Sequence, residues 1–298
     1  MQILEKCKLC PHKCGVNRIN GKLGICNASD KIKIALASLH HYEEPCISGE
    51  KGSGTIFFSH CNMKCKYCQN YEISQLGKGK YITIEHLAEI MIKQQKNNAE
   101  NINLVTPTMY IPQIIEAIKI AKNNGLKIPI IYNSNGYEEV ESLKKLDGFI
   151  DVYLPDFKYW YNELGEQYSS IKNYRNVVIN ALKEMYRQVG APILNEKGMI
   201  KRGLIIRHLV LPGNIENSKK VLQWIKENID SKVYISVMAQ YFPTYLAKKD
   251  EKINRKLNKE EYNQIEEYLY ELDIENGYIQ ELGEHEEEYV PKFDLSEI

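Results

Sequence analysis

Cys61-Asn62-Met63-Lys64-Cys65-Lys66-Tyr67-Cys68 places three cysteines at C-x3-C-x2-C spacing, directly after the strand-like run Thr55-Ile56-Phe57-Phe58-Ser59. Three thiols this close in sequence can turn toward one soft-metal centre, because cysteine sulfur suits iron–sulfur clusters and zinc. The number matters. A structural zinc, or a cluster that only passes electrons, normally takes four protein ligands. Three ligands on a four-iron cluster leave one iron open, and an open metal position marks a site built for chemistry.

The surrounding composition sets bounds. A chain of 298 residues allows one large domain or two small ones, with 43% hydrophobic and 26% charged residues, as in soluble globular proteins. Lys plus Arg equals Asp plus Glu at 39 each, so no global field recruits nucleic acid or an anionic membrane. Met1-Gln2-Ile3-Leu4-Glu5-Lys6 lacks the apolar core of a signal peptide, and no run of about 18 apolar residues is present to span a bilayer. The expected location is the cytoplasm. Clustered cysteines without a secretory signal favour metal or redox chemistry over disulfides. Seven of the eight cysteines fall into two groups, and the solitary Cys46 reads as a small buried hydrophobe.

The second group is Cys7, Cys10, Cys14 and Cys26, with Pro11, Gly15, Gly21 and Gly24 as turn formers between them. So short a segment cannot bury enough apolar surface to fold alone, and a bound metal commonly compensates. Four thiols make a closed shell, suited to a structural or electron-relay role, and the spacing fits zinc or a second 4Fe-4S cluster. His12, between Cys10 and Cys14, is a further candidate ligand or an exposed histidine. Residues 31–39 read as a strand, after which His40 and His41 either line the site or are loop histidines.

From Thr55 onward, β-branched runs alternate with longer helical patterns. The expected strands are 55–59, 102–106, 128–132, 150–154, 204–210 and 232–237. Helices are expected near 83–98, 111–124, 137–146, 171–189 and 215–229, with Thr83 as the N-cap of the first. Strand–helix alternation implies a parallel sheet with right-handed crossovers. The fold class is therefore α/β, a partial (β/α)6 TIM-type barrel preceded by a cysteine-rich metal-binding segment. The expected divisions are 1–50 for that segment, 51–245 for the barrel and 246–298 for a closing helix with an acidic tail. In that last part Asn258 and Glu261 form a capping-box pair, and Glu286-Glu287-Glu288 reads as solvated.

With its neighbours, the three-cysteine stretch resembles the radical S-adenosylmethionine enzymes, and among them the pyruvate formate-lyase activating enzyme group. Tyr67 is the aromatic residue before the third cysteine, Gly52-Ser53-Gly54-Thr55 precedes the strand, and Gln69-Asn70-Tyr71-Glu72-Ile73-Ser74 follows the motif. The likeness continues at the ends of later strands, where barrels of this kind collect their chemistry. Asn133-Ser134-Asn135-Gly136 is close to the group's Asp-Thr-Asn-Gly, and Asp156-Phe157-Lys158 to its Asp-Leu-Lys. Arg207-His208-Leu209-Val210-Leu211-Pro212-Gly213 is similar to its Arg-His-x-Val-x-Pro-Gly. Thr106-Pro107-Thr108 stands where many relatives carry a Gly-Gly-Glu-like run that holds the methionyl amine. The stretch Cys7 to Arg18 looks like the N-terminal signature of a poorly characterised branch of the group. Better-known activators carry their extra cysteines after the motif rather than before it.

The resemblance implies that Cys61, Cys65 and Cys68 hold a catalytic 4Fe-4S cluster whose open iron binds S-adenosylmethionine. One electron then cleaves the cofactor to methionine and a 5′-deoxyadenosyl radical that abstracts hydrogen. Tyr67, Thr106, Asn133, Ser134, Asp156, His208 and Leu211 would surround the cofactor. Asn133, Ser134 and Asp156 would also hold a monovalent cation. Gln240 is a candidate substrate contact. A glycyl-radical enzyme is the implied partner, with a flavodoxin- or ferredoxin-type low-potential electron donor and anaerobic operation. Two other readings stand beside it. One is radical chemistry on a small molecule or another peptide; the other is a non-catalytic iron–sulfur or zinc redox relay, in which Cys46 could close the cluster as a fourth ligand.

Overall fold

The computed structural model describes residues 2–283, 290–295 and 298. In chain order its strands are β1 (Ile32–His40), β2 (Ser53–Phe58), β3 (Lys80–Ile82), β4 (Ile102–Val105), β5 (Ile130–Ser134), β6 (Val152–Pro155), β7 (Ile193–Leu194), β8 (Ile200–Leu209), β9 (Tyr234–Met238) and β10 (Gly277–Ile279). The helices are α1 (Pro45–Ser48), α2 (Tyr71–Ser74), α3 (Ile84–Lys96), α4 (Ile111–Asn123), α5 (Val140–Leu143), α6 (Asn162–Ser169), α7 (Tyr174–Val189), α8 (Ile215–Asn228) and α9 (Lys259–Glu271). The sheet order is β10-β9-β8-β6-β5-β4-β2-β1-β3, and β10 through β2 run parallel. The sheet stays open at β3 and β10, as expected of a partial barrel. The Glu286-Glu287-Glu288 stretch lies outside the described residues.

Local signals explain the helices. Thr83 caps α3 by accepting the His86 N–H at 3.1 Å, and Leu87, Ala88, Ile90, Met91 and Gln94 form its buried face. Asn258 and Glu261 form the full capping box of α9. The expected helix at 171–189 is α7, starting at Tyr174, and an unexpected helix, α6, precedes it; Ser170 and Asn173 adopt left-handed backbone between the two. Expected divisions do not coincide with breaks in the sheet: β1 pairs antiparallel with β2, and β10 extends the sheet beyond β9.

Strand alternation divides the core. Ile56, Leu104, Tyr132, Tyr153, Leu204 and Ile206 face the helices. On the opposite, concave face Ile131, Val152, Leu154 and Ile205 close around Cys46 and Ile47 of α1. Central strands are buried on both faces and therefore read as continuous apolar runs. Toward the strand C-termini the concave side changes character. Phe57, Val105 and Asn133 come into register there, as do Asp156, Arg207 and Ser236 one level further along. These residues open a cavity of about 610 Å³.

Candidate functional site

The loop between β2 and α2 carries the three cysteines into this cavity, and all three line it. The loop leaves the sheet at His60, whose positive φ of 74° turns the chain sharply while its N–H donates to the Ile73 carbonyl at 2.9 Å. Distant elements then fix its path. The Lys64 and Lys66 N–H groups donate to the Ser169 and Tyr168 carbonyls at 3.0 and 2.8 Å, and the Asn62 amide donates to the Tyr137 carbonyl at 2.7 Å. Asn62 Oδ1 in turn accepts from Asn135 Nδ2 at 2.8 Å.

Each of the three sulfurs meets its own polar partner. Asn135 Nδ2 donates to Cys61 Sγ at 3.3 Å and Ser169 Oγ to Cys65 Sγ at 3.0 Å, while Ser74 Oγ stands 3.2 Å from Cys68 Sγ. The Cys65 bond ends a hydroxyl chain, with Tyr67 and Tyr159 2.5 Å apart and Tyr159 2.7 Å from Ser169. Burial raises all three thiols, Cys65 to about 11, so the metal-free thiols are protonated at neutral pH. The Lys158 ammonium pulls Cys65 the other way. Burial works against the Lys158 charge, but Asp156 and Cys65 outweigh it and keep the ammonium charged. Among the described residues no three His, Cys, Asp or Glu side chains converge on one ion-sized point. A three-thiol rim with a donor to every sulfur and a nearby cation suits a thiolate-bound cluster, because outer hydrogen bonds and charge stabilise thiolates.

The remaining expected residues divide. Tyr67, Thr106, Asn133, Ser134, Asp156 and Gln240 line the cavity with the cysteines, and so do His40 and His41. Thr106 sits there in left-handed backbone at φ 59°, a strained conformation for a β-branched residue, held by its N–H donating to the Asn133 carbonyl at 2.9 Å. Gly136 needs its φ of +73°, and a Cβ there would lie 2.3 Å from the Asp156 carbonyl oxygen. The Asp156 carboxylate, which the resemblance gave to a monovalent cation, is already bonded to Lys158 Nζ at 2.5 Å.

Two expectations need correction. His208 does not face the cavity. It shares the outward parity of Leu204 and Ile206, is fully buried, and has Nδ1 2.6 Å from the Phe157 carbonyl and Nε2 2.8 Å from Ser218 Oγ. Burial lowers it to about 4, so the ring is neutral. Nor does Leu211 reach the cavity; it packs in the core between sheet and helices, while Leu209 takes the lining position. Cys46 lies apart from the cavity, buried in the concave core as a small hydrophobe.

Sequence reasoning missed the partners of Arg207. This guanidinium, 13% exposed, pairs with Glu44 through Nε at 2.7 Å and Nη2 at 2.5 Å, and also with Glu43. Burial opposes ionisation of Glu44, yet Arg207 holds its carboxyl below the usual range. An arginine in an apolar strand signalled that an acid must meet it, but Glu44 lies 163 residues away in sequence. Asn135 and Ser169 meet their sulfurs across 74 and 104 residues and were missed for the same reason, whereas Ser74 and Lys158 lie close in sequence to Cys68 and Asp156, inside motifs singled out in the sequence, without having been given a role.

Comparison with known proteins follows from this geometry. A family model described as the Radical SAM superfamily matches residues 55–225. The chain is 35% identical over 284 residues to the uncharacterized protein MJ0674 of Methanocaldococcus jannaschii, covering 91% of this chain and 77% of that protein. It is 23% identical over 256 residues to a pyruvate formate-lyase-activating enzyme of Clostridium pasteurianum, covering 80% of this chain and 99% of the relative. Among solved structures, the FeFe-hydrogenase maturase HydG from Carboxydothermus hydrogenoformans superposes with a TM-score of 0.52 at 13% identity, covering 77% of this chain and 54% of HydG. The chain spans about half the length of most such structures.

Proposed function

The chain belongs to the radical SAM superfamily, and we propose that it uses Cys61, Cys65 and Cys68 to hold a 4Fe-4S cluster beside S-adenosylmethionine in the 610 Å³ cavity. One observation carries this reading: three thiols on the rim of a pocket at strand C-termini, each with a polar partner from a different segment. When bound, the cluster and cofactor supply one-electron cleavage of the sulfonium carbon–sulfur bond, giving methionine and a 5′-deoxyadenosyl radical that takes a hydrogen atom from substrate.

The protein's own part is to bind, orient and shield. Asn135, Ser169 and Ser74 favour the thiolate form of the three ligands, and Lys158 adds positive charge beside Cys65 and Cys68. Thr106, Asn133, Ser134 and the Asp156–Lys158 pair offer polar groups to the amino-acid end of the cofactor. Phe57, Val105, Leu209 and Pro291 from the C-terminal segment give the wall apolar surface.

The proposed hydrogen donor is a glycine in a partner glycyl-radical enzyme. Its support is the similarity to the Clostridium pasteurianum activating enzyme over 99% of that protein. A small polar molecule is the second reading, favoured by the ionic far wall of Glu43, Glu44 and Arg207.

The test is anaerobic reconstitution with iron and sulfide, then dithionite and S-adenosylmethionine, assaying 5′-deoxyadenosine in the wild type and in C61A/C65A/C68A. Product from the first and none from the second supports radical chemistry. A fully loaded wild type that yields none, with or without candidate partner peptides, overturns it. Electron paramagnetic resonance of a glycyl radical on an added partner separates the peptide reading from the small-molecule one.

A further inference from the structure

We propose that Cys7, Cys10, Cys14 and Cys26 form a second, closed metal–tetrathiolate centre whose negative charge is partly offset by Arg18 and which braces the Cys61–Cys68 loop through His12.

The first observation is placement. All four cysteines line one small cavity together with Leu9, His12, Arg18, Ile25 and Met109. Among the described residues through 31 the only regular structure is the single 3-10 turn Gln2–Leu4. The chain instead makes two tight turns, closed by Lys13 N–H to the Cys10 carbonyl and Asn27 N–H to the Gly24 carbonyl, each at 3.0 Å. The second turn packs against the cysteine that follows the first: a Cβ on Gly24 would come within 2.6 Å of Cys14 Sγ. A segment with so little regular structure needs a staple, and metal binding supplies folding free energy directly. All four cysteines are free thiols, and no three of them yet converge on one ion-sized point, so metal loading must draw the sulfurs together.

Charge is the second, independent observation. Arg18 is 1% exposed, among the largest fully buried side chains. Its guanidinium donates to the Met109 carbonyl at 2.8 Å and to the Ser29 carbonyl at 3.1 Å through Nε. Nη1 also points at Cys7 Sγ, 3.9 Å away, and the group lies 5.9 Å from the Tyr110 ring. Among the described residues no carboxylate pairs with it. A buried charge without an opposite charge is costly, and four protonated thiols provide none. A divalent metal bound by four thiolates carries two net negative charges after releasing four protons, as does an oxidised 4Fe-4S cluster bound the same way. Either one is the missing counter-charge.

The third observation is the connection. His12 Nε2 is 2.7 Å from the Asn62 carbonyl, and its ring meets Tyr137 edge-on at 5.5 Å. Asn62 is the residue after Cys61, so the turn that carries Cys10 presses directly on the loop of the first site.

Zinc and a 4Fe-4S cluster share this ligand chemistry, and the experiment separates them. The full chain carrying C61A/C65A/C68A is purified anaerobically and loaded in parallel with zinc or with iron and sulfide, then assayed for metal and sulfide. We expect about one zinc, or about four irons with matching sulfide, per chain, lost when Cys7→Ser and Cys26→Ser are added. A folded triple variant, judged by circular dichroism, that retains neither metal overturns the proposal. If the Ser variants fail to fold, X-ray absorption of the loaded triple variant decides, with sulfur-only coordination at about 2.3 Å expected for zinc and oxygen-dominated coordination overturning it. Arg18→Met should weaken retention against a chelator by about tenfold or more while Arg18→Lys largely restores it; unchanged retention in Arg18→Met overturns the charge-balance part. None of these readouts needs catalytic turnover, so failure of the radical reading leaves them intact.

Discussion

Two arginines, one fully buried and one mostly so, line the cavities of the two cysteine groups, and they are paired differently. Arg207, on the wall of the large cavity, is neutralised by Glu43 and Glu44. Arg18, in the N-terminal segment, has carbonyls and a cysteine sulfur as partners. The cysteines differ in parallel. Cys61, Cys65 and Cys68 border a cavity of about 610 Å³ with a polar side chain on every sulfur, whereas Cys7, Cys10, Cys14 and Cys26 enclose about 10 Å³ among mostly apolar neighbours. The first arrangement leaves room for a bound molecule beside the thiols. The second leaves none, and its unbalanced cation marks where anionic charge belongs.

The largest expected effect separates the two groups outright. C61A/C65A/C68A should reduce 5′-deoxyadenosine to background, measured by chromatography, while the N-terminal metal persists. Loss of both metals together would merge the two centres into one.

The arginines give the next effect. Arg207→Met strands two buried carboxylates and should cost about 3–5 kcal/mol in urea unfolding, with and without metal. Arg18→Met should cost more in the metal-loaded chain than in the stripped one, because only loading creates the charge that it balances. Equal costs in both states would break the contrast.

A third test compares the pocket face of β8 with its helix face. His208, buried and neutral, sits at about 4 against an ordinary value of 6.5. Its contribution is intact above pH 6.5. Below that the unfolded chain binds a proton the folded chain refuses, so stability falls by about 3 kcal/mol as pH drops to 4. His208→Gln should flatten that part of the profile of unfolding midpoint against pH, and an unchanged slope would assign the acid sensitivity elsewhere.

The smallest effect concerns the donors to sulfur. Ser169→Ala removes the hydrogen bond to Cys65 and should lower the reduction potential of the proposed cluster by about 40 mV, the equivalent of about 1 kcal/mol. The same substitution should leave metal at Cys7, Cys10, Cys14 and Cys26 untouched. An unmoved potential in a redox titration would reduce Ser169 to a packing role.

Much of this molecule was written in the chain. The C-x3-C-x2-C spacing singled out the three cysteines that line the cavity, the β–α alternation named the sheet, and Thr83, Asn258 and Glu261 announced helix starts, because each signal is local and acts within a turn or two. The tertiary structure decided the rest. Alternation along β8 says that Arg207 and His208 face opposite ways, but strands buried on both faces carry no polarity pattern to say which side is concave. The expectation for His208 failed on that point. Likewise Glu44 meets Arg207, Ser169 meets Cys65 and Met109 meets Arg18 across 163, 104 and 91 residues of chain. Such meetings follow from strand register and helix packing, which set distances that no spacing in the sequence encodes.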